Sequence, residues 1–143
     1  MQNIIYISTI ILLIKIAYID KKQKIIPDKL NLIIALLGII NLIIDFHNCK
    51  IYIASAAITF AVFLFLSYLS DGGIGGGDIK LFTALGLIFG QDVVIIIAVT
   101  FTSAAIISIV RVVLKRINIK ESIALAPYVC VGVIVCLINF YIS

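Results

Sequence analysis

The sequence predicts an all-α membrane protein. Of its 143 residues, 64% are hydrophobic and only 13% are charged, and the mean hydropathy is +1.30. A soluble domain is nearer about half apolar and about a quarter charged, and a soluble chain of this length could not bury so much apolar surface. Long apolar segments also alternate along the chain with short basic ones. The bilayer is therefore the predicted solvent for the whole chain, which we expect to form one domain over residues 1–143.

Six apolar segments are candidates for membrane-spanning helices, each of which needs about 20 mostly apolar residues. The first lacks the basic start and the cleavage site of a signal peptide, so we expect it to remain as a span. The fourth extends only about 18 Å as a helix, which also allows a re-entrant piece or part of one longer apolar stretch. The segments are 3–19, 30–46, 51–69, 79–90, 92–114 and 122–142.

The basic residues favour six spans. Lysine and arginine are enriched in cytoplasmic loops. If the fourth segment crosses the membrane, the connections 20–29, 70–78 and 111–121 share one side and collect the main basic clusters, while Lys50 is left on the other side. We therefore predict both termini outside, the basic loops in the cytoplasm, and a multi-pass protein of the inner (plasma) membrane. This topology accounts for the net charge of +4. We also expect the cytoplasmic lysines to contact the anionic headgroups of membrane lipids, and no nucleic-acid partner is indicated.

Four aspartates lie on the predicted cytoplasmic side: Asp20, Asp28, Asp71 and Asp78. Asp20 ends the first span and Asp78 opens the fourth, so the two reach a similar depth. Two carboxylates that meet resist joint ionisation and share one proton. One then acts as general base on water while the other polarises a peptide carbonyl, as in aspartic proteases, without a metal or other cofactor. By position alone, the plainer interpretation of each is an interfacial charge that ends a helix.

A glycine-rich stretch, "GGIGGGDIK" over residues 72–80, contains the second of these aspartates. Glycine permits the close approach of another backbone, so Gly75 and Gly77 would admit a neighbouring helix or an extended substrate beside Asp78. A flexible loop is the plainer interpretation. A phosphate-binding loop is disfavoured, because G-x-x-x-x-G-K-[ST] is absent and an aspartate stands where the anion would bind.

The remaining acids and the cysteines indicate no further site. Asp45 and Asp92 fall at the outer ends of spans, where solvated charges are the expectation. The three cysteines include no C-x-x-C pair, so neither a zinc site nor a disulfide framework is suggested.

Two motifs resemble those of the prepilin peptidases, which belong to the G-x-G-D intramembrane aspartyl proteases. The stretch "GIGGGDIK" at 73–80 is similar to the signature G-x-G-x-G-D-x-K. The stretch "DKKQKIIPDKLNL" at 20–32 is similar to the first motif, an aspartate followed eight positions on by the Asn or Asp of an I-P-[ND] triplet. The segments "LFTALGLIFG" and "IALAPYVCVG" are also family-like, so the resemblance covers nearly the whole chain.

The resemblance implies an aspartic endopeptidase that removes the basic leader of type IV pilin-like precursors at the cytoplasmic membrane boundary. Asp20 and Asp78 correspond to its catalytic pair. Gly75 and Gly77 would shape the site, and Lys80 would bind a carboxylate or the substrate backbone, or else extend towards the interface.

Two further residues of the first motif have predicted structural roles. Pro27 suits the start of the second span, and Asp28 could cap that helix. The chain begins directly with the first span, without the paired cysteine motifs that accompany methylation in longer family members, so it resembles a short, peptidase-only form.

Two other functions compete with the peptidase. A divalent-cation transporter could use the four cytoplasmic aspartates as oxygen ligands. A non-catalytic pilus assembly factor could retain the same fold.

Overall fold

The computed structural model describes residues 2–71, 73–114 and 124–142. Within these ranges the chain is almost entirely α-helical and contains no β-strand, which confirms the predicted all-α class. Two short 3-10 turns, Phe46–Asn48 and Gly90–Asp92, connect neighbouring helices. Each predicted apolar segment coincides with one helix: α1 Gln2–Gln23, α2 Asp28–Ile44, α3 Cys49–Leu69, α4 Gly76–Phe89, α5 Val93–Val113 and α6 Ala126–Ile142.

Among the described residues, three stretches are long and apolar enough to cross a membrane, namely Gln2–Gln23, Phe46–Leu69 and Gly76–Arg111, and α6 is a shorter apolar helix. The third stretch consists of two helices. Gly90 ends α4 with a φ of +57°, a left-handed conformation that glycine adopts without steric cost, and α5 starts after the following turn. The short fourth segment is therefore a helix of its own. The chain is a membrane-embedded helical protein.

Contacts between distant residues show which helix ends lie together. At one end, Asp20 near the end of α1 accepts a hydrogen bond from the backbone N–H of Ala126, which starts α6 (2.9 Å). Asp28 at the start of α2 pairs there with Lys80 near the start of α4 (2.7 Å). We call this end of the bundle the basic end, because Lys21, Lys22, Lys24, Lys29 and Lys80 all lie in the helix ends and turns that form it. Most of the basic connection 111–121 lies outside the described residues.

At the opposite end, Asp45 joins three elements. Its carboxylate accepts hydrogen bonds from Tyr52 (2.9 Å), Asn48 (3.1 and 3.2 Å) and Gln2 (3.3 Å). The expectation of a merely solvated charge is wrong for Asp45, since its neighbours donate to it. The hydrogen bonds from Asn48 and Tyr52 lower the pKa of its carboxyl below the usual range because they stabilise the ionised form. Asp92 is exposed, as expected.

Two buried asparagines fasten α2 to α4, which run parallel. Asn31 donates its side-chain amide to the carbonyl oxygen of Gly77 (3.0 Å), and Asn41 donates to that of Ile88 (3.1 Å). Interhelical hydrogen bonds of this kind hold helices together where the surrounding lipid supplies no hydrophobic drive. The start of α4 is therefore fixed to α2 directly beside Asp78.

The contact of α4 with α3 depends on glycine. A Cβ atom at position 86 would lie 2.9 Å from the Cα and 3.1 Å from the backbone nitrogen of Ala56. Backbone atoms of a packed helix cannot rotate away, so the two helices would have to separate.

We expect Gly86→Ala to lower the free energy of unfolding by about 2 kcal/mol, measured by thermal unfolding in detergent. Gly76→Ala is the matched control, since a Cβ atom there meets nothing within 4 Å; equal stability of the two variants would contradict this packing.

Candidate active site

Asp20 is a buried carboxylate, with only 5% of its surface exposed. Its Oδ2 accepts the backbone N–H of Ala126 at 2.9 Å, which partly offsets the cost of burying a carboxylate. The positive end of a helix favours a nearby negative charge, and here that end belongs to α6. The side chain is thus held by a helix that starts 106 residues further along the chain.

Asp78 lies in the first turn of α4, as the sequence predicted for the opening of the fourth span. Its Oδ1 is buried and has no hydrogen-bond partner among the described residues. A Cβ atom at position 75 would lie 3.1 Å from Oδ2 of Asp78, so glycine at this position leaves room for the carboxylate. Buried polar atoms are usually hydrogen-bonded, so Oδ1 of Asp78 is one of three exceptions among the described side chains.

One cavity of about 480 Å³ at the basic end is lined by both Asp20 and Asp78. Gly75, Gly77 and Lys80 also line it. The structure therefore brings together all five residues that the sequence singled out. A cavity of this size holds several water molecules or a short stretch of extended peptide.

Gly77 is the point where the chain before α2 touches α4. A Cβ atom at position 77 would lie 2.9 Å from Cβ of Ile26, so the close approach expected of this glycine is made by the turn that follows α1. Asn31 holds the carbonyl oxygen of the same residue. Sequence reasoning missed Ile26 and Asn31, although a polar side chain inside an apolar span was a usable signal.

Lys80 contacts a carboxylate, and that carboxylate is Asp28, at 2.7 Å. The side chains are 58% and 74% exposed, so the pair adds little to stability. The expectation that Asp28 caps α2 is wrong. Pro27 occupies the N-cap position without a side-chain cap hydrogen bond, and Asp28 is already the first helical residue, one position too late to cap.

Asp71 does not line the cavity. It follows the end of α3, is exposed, and has a φ of +48°. In the part of the chain that the structure describes, no three His, Cys, Asp or Glu side chains are grouped closely enough to hold a metal ion. The four aspartates of the transporter alternative are therefore not gathered into one ligand set.

Comparison with known proteins shows the family of the chain. The sequence model of the type IV leader peptidase family matches residues 7–112, a range that contains both cavity aspartates. The chain belongs to this family. The family also includes proteins that are longer than this chain, as its relatives show.

Three curated relatives are similar over nearly the whole chain. The prepilin peptidase EppA of Methanocaldococcus jannaschii is 32% identical over 97% of this chain and 42% of its own length. The protein of the same name from Methanococcus maripaludis is 31% identical over 96% of the chain and 40% of its own length. A prepilin leader peptidase/N-methyltransferase of Legionella pneumophila is 26% identical over 99% of the chain and 54% of its own length.

The chain thus spans about half the length of these relatives or less. No solved structure shows significant similarity to it.

Proposed function

We propose that this protein is an aspartic endopeptidase that removes the basic leader of pilin-like precursors, with Asp20 and Asp78 as the catalytic pair. The observation that carries the proposal is the single cavity that both carboxylates line. Family membership supports the reaction class, and the names of the relatives support a prepilin as substrate.

The chemistry requires one proton shared by two carboxyl groups. The ionised carboxylate accepts a proton from water while the water oxygen attacks the carbonyl carbon of the scissile bond. The protonated carboxyl donates its proton to the carbonyl oxygen, which gives a tetrahedral diol. Collapse of the diol breaks the C–N bond. The leaving nitrogen takes up a proton from one carboxyl group, one diol hydroxyl gives its proton to the other carboxylate, and the pair again shares one proton.

The proposal includes an orientation. Residues 1–143 form one domain of six membrane-spanning helices in the plasma membrane. The basic end lies on the cytoplasmic side, and both termini lie outside. The lysines of the basic end support this orientation, because lysine and arginine are enriched in cytoplasmic loops. The basic leader of the substrate then lies on the side where the cavity is found.

Leader removal in a purified system tests the function. The chain is reconstituted into liposomes with a pilin-like precursor, and the products are weighed by mass spectrometry. We expect one new N-terminus between the basic leader and the apolar segment, formed equally well with and without a chelator. An intact precursor in the presence of folded protein would contradict the proposal. Cation-dependent thermal stabilisation without cleavage would favour the transporter. The absence of both cleavage and cation-dependent stabilisation would favour the assembly factor.

A further inference from the structure

A groove of about 560 Å³ lies between α2 and α4, with Phe60 of α3 forming part of its wall. Residues spaced by three or four positions lie on one helix face, and both helices follow this spacing. The groove therefore runs along the helix axes for about 10 Å, the length of seven helical residues. Helix α2 contributes Asp28, Leu32 and Ala35, and α4 contributes Lys80, Thr83 and Leu87.

The groove continues the cavity of the catalytic pair. Asp28 and Lys80 line both spaces, so their ion pair forms the boundary between the two. On one side of it lie the carboxylates of Asp20 and Asp78. On the other side the lining is mostly apolar, and Thr83 donates its hydroxyl to the carbonyl oxygen of Ile79 (2.8 Å).

The groove can be reached from the membrane, and small side chains in its lining leave room for a helix. Leu32 and Phe60 are 63% and 44% exposed, so the groove opens on the outer surface of the bundle. Ala35 and Thr83 are small side chains, and small residues let another helix approach closely in a membrane. An apolar helix packed there would contact α2 and α4 at the usual spacing of neighbouring helices.

We propose that this groove holds the first two turns of the apolar helical segment that follows the scissile bond of the substrate. The inference rests on the proposed function, because it assumes that the scissile bond lies in the adjoining cavity. A peptide leaving that cavity over the Asp28–Lys80 pair passes from a polar space into an apolar one. The substrate that fits is polar before the scissile bond and apolar and helical after it.

Filling the groove tests the proposal. Ala35→Phe places a ring in the groove, and Ala105→Phe makes the same change at an exposed position of α5 that lines neither space. Two substrates are compared: a full precursor, and a short peptide that ends soon after the scissile bond and lacks the apolar segment. We expect Ala35→Phe to lower the ratio of kcat/KM for the precursor to kcat/KM for the peptide about tenfold, mainly through KM. Ala105→Phe should leave this ratio at its wild-type value.

The outcomes separate the two proposals. If the wild-type protein cleaves neither substrate, the proposed function itself is rejected. If the wild-type protein cleaves both substrates and Ala35→Phe leaves the ratio of the two kcat/KM values unchanged, only the proposal for the groove is rejected. If Ala35→Phe does not fold, Leu32→Ala decides in its place, because Leu32 is mostly exposed and its truncation spares the core; an unchanged ratio in this variant also rejects the groove.

Cross-linking gives a second readout that does not depend on turnover. A photoreactive amino acid replaces Leu32 in the Asp78→Asn background, with position 105 as the control site. We expect position 32 to capture the precursor within the first two turns after the scissile bond, and position 105 not to capture it. Capture of lipid alone, or of a second copy of the chain alone, at position 32 would overturn the proposal.

Discussion

Asp20→Asn and Asp78→Asn are each expected to lower kcat for leader removal by about 10³-fold, because each removes a group that must gain or lose a proton. Asparagine has nearly the same shape as aspartate, and its amide oxygen can still accept the N–H of Ala126 at position 20. The fold should therefore survive, and the loss of rate should reflect the chemistry. The measurement is single-turnover cleavage of a precursor in liposomes, with thermal unfolding recorded for each variant.

Asp71→Asn is the matched control, since Asp71 is exposed near the same end of the bundle and does not line the cavity. It should cleave at the wild-type rate. Near wild-type cleavage by either Asp20→Asn or Asp78→Asn would remove that residue from the catalytic pair. Loss of activity in all three variants would point instead to a general effect of negative charge at the basic end.

Gly77→Ala is expected to lower kcat about 100-fold, since a displacement of about 1 Å in a catalytic group has effects of this size. The new methyl group would lie 2.9 Å from Cβ of Ile26, closer than such atoms approach in folded proteins. Asn31 holds the carbonyl oxygen of Gly77 from the other side, so the start of α4 must shift, and Asp78 is the next residue. Cleavage kinetics and thermal unfolding are measured together.

Gly76→Ala is the control for the thermal unfolding of this variant, because its added methyl group meets nothing within 4 Å; its rate is not compared, since Gly76 lines the same cavity. Alanine also favours a helix over glycine, so the control should be at least as stable as the wild type. Ile26→Gly in the Gly77→Ala background removes the atom that the methyl group meets and should restore part of the rate. Wild-type activity of Gly77→Ala would show that this contact does not position Asp78.

The sequence predicted the helices and the end at which the two catalytic candidates meet. Hydropathy alone locates the apolar segments, since a membrane-spanning helix satisfies its own backbone hydrogen bonds. The distribution of lysines then placed Asp20 and Asp78 on one side. For the short segment 79–90 the sequence left three interpretations open: a short span, a re-entrant piece, or part of one longer apolar stretch. Gly90, with its positive φ, separates α4 from α5, so the segment is a helix of its own rather than part of one long helix.

Contacts between distant residues could not be predicted in the same way. Asn31 lies 46 positions from Gly77, and Asp20 lies 106 positions from Ala126, so their pairing depends on how whole helices pack. Predictions from position at a helix end were also wrong for Asp28 and Asp45. Each was interpreted from its place at a helix end, whereas the side chain of each is engaged by a partner on another element, Lys80 for Asp28 and Gln2 for Asp45.

The burial of α4 has a consequence for the surrounding bilayer. Helix α4 has 14 residues and α3 has 21, which correspond to about 21 Å and about 31 Å. A lipid-facing helix as short as α4 would not match a hydrocarbon core of about 30 Å, and the lipid beside it would have to thin. Eight residues of α4 are buried, however, so the other helices rather than lipid surround most of it. The outer helices therefore set the hydrophobic thickness of the protein, and α4 can be short without thinning the membrane.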